Sequence, residues 1–487
     1  MSDVSTPWDM PSPEHGLFSE EELRQWQDTM VSLGPRIGGT QSHRRWLDIL
    51  EDHFQRSGLT TFRHTQNLTT SSPHWNATEW SLAIVEGSGE IPVPVSSYFP
   101  YSGETPAQGL VAELVDAGGG TQADFATGTF TGKIALVTLE RPAVFSTYAS
   151  FFPSFDHLYD PDGTVTPTTP FGNVCFNLFD ANEREAPLLA KSAGCSALIL
   201  AFDAAPENAA GQYQAFASPY LDFPVLYVSH ATGLQLKQRL AAGLTTIRFR
   251  LLAEKGPAGV DNLTAILPGS NPDEYVWLLS HSDGCGECQE TGGIALASLA
   301  RAFAQLPISG RRRSYAFHLS LHMTPYVATD GASFGQAHPD LFAKVVGLLH
   351  MEHLGQMNWY DDPSTGTFQS TGYPEVAFMD VSRSPALISA VTDAVRAEDL
   401  RRTAVANMSF SVGAQYSKTF GTVGFTTYPN QMLSWGTTND FTHFTQNLDK
   451  WSGTRMYRET RTLARILQTM DAMPRRDLAV GTQQGEA

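Results

Sequence analysis

From Gly256 onward the chain alternates short apolar runs with longer segments of helical periodicity, and few folds accommodate that pattern. Strand-like runs fall at Leu263–Leu267, Tyr275–Leu279, Tyr315–Leu321, Val345–Met351 and Gly424–Thr427. Helical spacing marks Gly293–Gln305, Gly331–Ala337, Pro385–Arg396 and Tyr457–Met470. Most of the runs are largely apolar rather than strictly alternating apolar and polar, which predicts strands covered on both faces. Strands interleaved with helices predict an α/β domain of three αβα layers around a mainly parallel sheet. In such sheets ligands bind just beyond the carboxyl ends of the strands, so the residues there are the first candidates for function.

The first half reads differently. Ser19 with Glu22 three residues on forms a capping-box pattern, followed by Leu23, Trp26, Met30 and Leu33 at helical spacing. A turn at Gly34-Pro35-Arg36-Ile37-Gly38-Gly39-Thr40 precedes a second helix with Leu47, Leu50 and Phe54 on one face. Near residue 95 the texture shifts to short β-rich runs, Leu110–Val115 and Lys133–Leu139, separated by glycine turns. A helix near Ala181–Ser192, strands at Ala197–Phe202 and Pro224–Val228, and a helix over His230–Ala242 complete a mixed α/β unit. The expected division is 1–94, an inserted domain over 95–254, and 255–487. The aromatic stretch Arg141–Pro170 is expected as a surface insertion that either covers a site as a lid or packs on the inserted domain's core.

With 487 residues the chain can bury two cores. Its formal charge of −18, 50 acidic against 32 basic residues, argues against nucleic acid or an anionic membrane as a partner. The basic run Arg311–Arg313 reads as a solvated turn. No apolar run reaches the roughly 18 residues of a membrane span. The opening MSDVSTPWDMPSPEHG has no basic-then-apolar leader, so the default expectation is cytoplasmic, with secretion open if a leader was removed. Asn-x-Ser/Thr triplets at Asn67, Asn76, Asn262 and Asn407 leave that question open. Four cysteines make no disulfide scaffold; Cys175 and Cys195 could pair or could be small buried residues.

Candidate chemistry gathers at the strand ends. Tyr275–Leu279 runs into Ser280-His281-Ser282-Asp283, where an imidazole could bind a metal while Asp283 orients it from behind; a structural histidine at a strand end is the plain alternative. Beyond lie Cys285, Glu287, Cys288 and Glu290, which could join a soft metal, act as a redox pair or form a disulfide. The next strand carries His318 and ends at His322-Met323, the following one at His350-Met351-Glu352-His353, and His443 lies in a late loop. Each alone is more often structural; their coincidence at strand ends favours a site.

These motifs resemble the zinc-dependent exopeptidases that include bacterial leucyl aminopeptidases, glutamate carboxypeptidase and the transferrin receptor. The Gly34–Thr40 turn resembles that family's GPRxxGS opening, Asp261–Gly269 its NVxAxLPG strand, and His281-Ser282-Asp283 its HxD motif. Residues 95–254, with Tyr101-Ser102-Gly103 at their entry, resemble its protease-associated insert. The resemblance implies metal ligands at His281, Cys288, Glu352 and His443, with Asp283 and Glu287 beside them. It departs from the family where a bridging Asp is replaced by Cys288, and where a Glu-Glu pair is replaced by His322-Met323. Met323 is a poor zinc ligand, so one ion rather than two is expected, with His322 as the proton-transfer group. The resemblance also allows a homodimer.

Three functions follow. The first is a divergent metallopeptidase-like hydrolase of a peptide or amide bond, using zinc, another transition metal or none. The second keeps the pocket for acid–base or other-metal chemistry on a small molecule, such as a cyclisation. The third is a non-catalytic binding protein, in line with the loss of the Glu-Glu pair and the transferrin receptor's resemblance.

Overall fold

The structure, a computed structural model, describes residues 16–140, 147–170, 181–210, 219–243, 246–284, 286, 289–321, 324, 335–362, 364–406, 421–426 and 448–478. One sheet comprises β1 (Thr60–Leu68), β7 (Phe155–Tyr159), β11 (Ala258–Leu267), β12 (Asn271–His281), β13 (Arg313–Ser320), β14 (Val345–Met351), β17 (Ala377–Val381), β18 (Thr403–Ala406) and β19 (Gly421–Thr426). Its order is β1-β11-β13-β12-β14-β19-β17-β18-β7. The four central strands β13, β12, β14 and β19 run parallel, while β1 and β11 on one side and β17 on the other pair antiparallel. The expected parallel sheet is thus the centre of a mixed one.

Burial on both faces explains the apolar strands. Leu278, Phe317, Leu319, Leu349 and Met351 share a core with Ile294, Leu296 and Leu299 of the helix Thr291–Ala304, itself buried along nearly its whole length. Trp277, Leu279, Ala316 and Leu348 face the other way, with Phe342 packed edge-on against Trp277. The helix Glu20–Ser32 starts on the capping box formed by Ser19 and Glu22, and Arg301 of the helix Thr291–Ala304 grips the same Glu22. No helix among the described residues is long and apolar enough to cross a membrane.

A second sheet is built from β2 (His74–Glu86), β3 (Gly89–Val93), β4 (Ser97–Tyr98), β5 (Leu110–Asp116), β6 (Ile134–Leu139), β8 (Ala197–Phe202), β9 (Val225–Val228) and β10 (Thr246–Gly256). It therefore begins at His74 rather than near residue 95. β2 belongs to it because its partner is β10, from Ile84 opposite Ile247 to His74 opposite Gly256, a pairing that local texture does not reveal. The two connections to the first sheet run side by side: β1 ends with Leu68 opposite Ala258, and the His74 ring bonds the Gly256 carbonyl at 2.8 Å. A hairpin of β15 (Met357–Asp362) and β16 (Thr367–Pro374) stands apart from both sheets.

Two expectations change. The described aromatic residues of the Arg141–Pro170 stretch pack on the first sheet rather than in the second unit's core, while Thr147 and Pro170 line a cavity with Ala204, Ala205 and His230. β7 extends the first sheet beside β18, and Tyr148 and Phe151 pack on Val376, Phe378, Ala404 and Ala406. The basic run is not a solvated turn either, since Arg311 and Arg313 are buried. Arg313 donates to the carbonyls of Met470, Asp471 and Met473, closing the C-terminus of the helix Gly453–Ala472, and pairs with Glu274 at 2.8 Å.

Candidate functional site

Strand register builds the site. In the parallel β12–β14 pair, Leu279 lies beside His350, so two residues on His281 and Glu352 leave neighbouring strands at one level. His281 Nε2 is 3.7 Å from Glu352 Oε2, and both side chains are almost entirely buried. His281 Nδ1 lies 2.8 Å from the Asp283 carbonyl oxygen. A carbonyl only accepts, so Nδ1 carries the hydrogen and, in the neutral ring, Nε2 keeps its lone pair toward Glu352. The Asp283 carboxylate is buried and accepts from Thr324 Oγ1 at 2.7 Å.

After Glu352 the chain turns sharply. His353 has φ of +58°, a conformation rare for a non-glycine residue, and its ring lies edge-on to His281 with centroids 5.9 Å apart. Ligand atoms of His281, Glu352 and His353 all fall within 4.8 Å of one another. His350 Nε2 approaches Glu352 Oε2 at 3.8 Å. The turn that brings His353 back to the mouth has no local sequence signal beyond a second imidazole in His350-Met351-Glu352-His353, which is why the expected ligand set omits it. His318 is elsewhere, bonded to Thr264 Oγ1 at 2.9 Å within the sheet. His322, Met323, Cys285, Glu287, Cys288 and His443 lie outside the described residues, as do most of the expected helix Gly331–Ala337 and the partner thiol Cys175. Cys195 is a buried free thiol.

The local field favours a cation. Burial opposes charge on His281, yet the hydrogen bond with Asp283 and the charges of Glu352, Asp283 and Glu290 outweigh it and push its pKa up to about 9. His43, buried nearby with Nε2 3.0 Å from Ser282 Oγ, is pulled down by desolvation to about 4. What differs is that His281 has carboxylate oxygens of Asp283 and Glu352 within 3.8 Å of its ring nitrogens. Two ligands at about 2.0–2.2 Å from a tetrahedral ion sit about 3.3–3.6 Å apart. The separation of 3.7 Å between His281 and Glu352 needs only a small side-chain adjustment to reach that spacing. The oriented imidazole, the adjacent carboxylate and the second imidazole thus suit a divalent metal.

No family model matches the sequence, and none of the curated proteins matches it. Solved structures do match. A peptidase M28 precursor from Shewanella amazonensis superposes with a TM-score of 0.61 at 17% identity, covering 93% of this chain and 96% of that one. A zinc aminopeptidase from Bacillus subtilis gives 0.58 at 14%, covering 95% and 98%. An aminopeptidase from an Aneurinibacillus strain gives 0.53 at 16%, covering 93% and 95%. At such identities the likeness concerns the fold: this chain has the α/β architecture of the zinc exopeptidases, over almost its whole length.

Proposed function

We propose that this chain, folded like the zinc exopeptidases, is a metal-dependent hydrolase of peptide or amide bonds. Its ion, zinc by the chemistry of the donors, is held by His281 and Glu352 with His353 as a third ligand. The observation that carries the reading is the approach of the His281 imidazole to the Glu352 carboxylate at 3.7 Å across two parallel strand ends. A bound divalent ion supplies Lewis acidity, polarising a carbonyl and acidifying water. The chain's own residues do the rest. The Asp283 carbonyl fixes the His281 tautomer, Thr324 fixes the Asp283 carboxylate, and burial keeps bulk water from screening either. On the sequence pattern, His322 moves the proton, and Cys288 or Glu287, and His443, are further candidate ligands.

Metal analysis of purified protein tests the reading together with hydrolysis of aminoacyl and acyl-amino acid amides. The expected result is stoichiometric metal, activity lost to a chelator and restored by zinc, and His281→Ala inactive and metal-free. Metal-free protein whose activity ignores chelators would end this reading.

A further inference from the structure

The turn Gly34–Thr40 stands far from the site in sequence yet meets it in space, and nothing in the proposed chemistry uses it. Arg36 is buried without residual exposure. Its Nε and Nη2 donate to the two carboxylate oxygens of Glu290 at 2.6 and 2.9 Å. Nη2 also donates to the Gly286 carbonyl at 2.7 Å, while Nη1 donates to the carbonyls of Met30 and Gly34. Every N–H of the guanidinium is thereby used, which the three donors of a lysine could not reproduce. The Arg36 backbone exchanges hydrogen bonds with Gly284, at 2.7 and 3.2 Å.

Both ends of the segment 284–290 are thus fastened to one residue, beginning directly after Asp283. Two details show that the arrangement is specific. A side chain at Gly284 would put its Cβ 2.6 Å from Glu290 Cδ, so only glycine lets the carboxylate reach the guanidinium here. Glu290 is the N-cap of the helix Thr291–Ala304 yet makes no capping bond; its carboxylate is committed to Arg36. The same turn touches the site again. A Cβ on Gly38 would lie 2.0 Å from Thr324 Oγ1, the group that holds Asp283. His43, just beyond, reaches Ser282.

We propose that Arg36, acting through Glu290 and the carbonyls of Gly284 and Gly286, is a positioning residue that fixes the backbone carrying His281 and Asp283 for metal binding. The inference rests on the metal site proposed above. Groups hydrogen-bonded directly to metal ligands change metal affinity about 10–100-fold when removed, and that range sets the scale for Arg36, which acts one step further out.

Cobalt(II) titration followed by visible absorption tests it, with near-ultraviolet circular dichroism and the melting temperature in chelator as checks on folding. Two variants are compared with wild type. Arg36→Lys keeps the charge and loses the fork. Arg36→Met with Glu290→Leu removes both charges at once, so no buried ion is left unpaired and the net charge is unchanged. The expected result is a folded variant that binds cobalt 10–100-fold more weakly with an altered spectrum. Wild-type affinity, within about threefold, and a wild-type spectrum in either folded variant would overturn the inference, making the pair a packing feature alone. Should one variant fail to fold, the other decides by the same criterion. Wild-type protein that binds no cobalt overturns the inference and the hydrolase reading together; binding that ignores both variants overturns only the inference.

Discussion

His281, His43 and His318 are all shielded from water, but only at His281 do the neighbouring carboxylates outweigh desolvation. Desolvation holds His43 down at about 4 and His318 at about 3, so both stay neutral in the fold. His281 is pushed up to about 9 because Asp283, Glu352 and Glu290 outweigh the same desolvation. The signs follow by linkage. With its pKa raised above the unfolded value of about 6.5, His281 contributes stability that is complete below that value and lost as pH rises through 9. The neutral pair acts oppositely: as pH falls below about 6.5 the unfolded chain takes up protons that folded His43 and His318 refuse. Each full shift corresponds to on the order of 3 kcal/mol. Denaturant unfolding of metal-free protein should therefore show a maximum near pH 6.5, falling on both sides. His281→Gln should flatten the alkaline side and His43→Gln should soften the acid side. Saturating zinc should also flatten the alkaline side, because the ion replaces the proton between His281 and Glu352. A stability that stays level in wild type from pH 6.5 to 9 would contradict this account of the His281 field.

At the scale of elements, what the sequence made legible is what periodicity encodes. β14 falls on Val345–Met351 as expected, the helices near residues 20, 41, 291 and 385 are where apolar spacing predicts them, and the closing helix expected from Tyr457 begins at Gly453. His281 and Glu352 could be brought together on paper because both follow apolar strands of one parallel sheet. The hairpin β15–β16 was not legible, since MNWYDD and TFQSTGYP lack both alternation and an apolar run. β17 and β18 are five and four residues long, too short for a pattern to stand out. The left-handed turn at His353 depends on backbone geometry that residue type does not signal. Arg313 shows the same limit for charge: three arginines look like a solvated turn until the helix Gly453–Ala472 arrives from more than a hundred residues away to be capped. Arg313→Ala would leave Glu274 and the carbonyls of Met470, Asp471 and Met473 without this donor. A loss of about 3–5 kcal/mol is expected, the range for breaking a buried pair, read as a lower denaturant midpoint at unchanged m-value. Arg312→Ala, an exposed side chain in the same run, should change stability by no more than about 0.5 kcal/mol.

Across the whole molecule, the two sheets are joined by more than the pair of strands that connects them. β7 leaves the second unit's stretch of chain to extend the first sheet, and the hairpin that follows Glu352 and His353 reaches the second unit directly. Asp361 of β15 accepts from Asn208 Nδ2 at 2.8 Å and from the Ala205 backbone N–H at 3.3 Å. The second unit is consequently coupled to the chain segment that begins four residues after a candidate ligand, and its position bears on how the mouth is presented. Asp361→Ala would remove the carboxylate that accepts from the buried Asn208 amide and from the Ala205 N–H, at a cost of about 1–3 kcal/mol at that junction. Because the cores of both sheets are untouched, the global denaturant midpoint should move little, while local opening becomes easier. Hydrogen–deuterium exchange should accelerate over residues 203–210 and 357–374 and remain unchanged in β12 and β14. Faster exchange spread evenly through both sheets would mean that the junction supports the whole fold rather than the placement of one unit on the other.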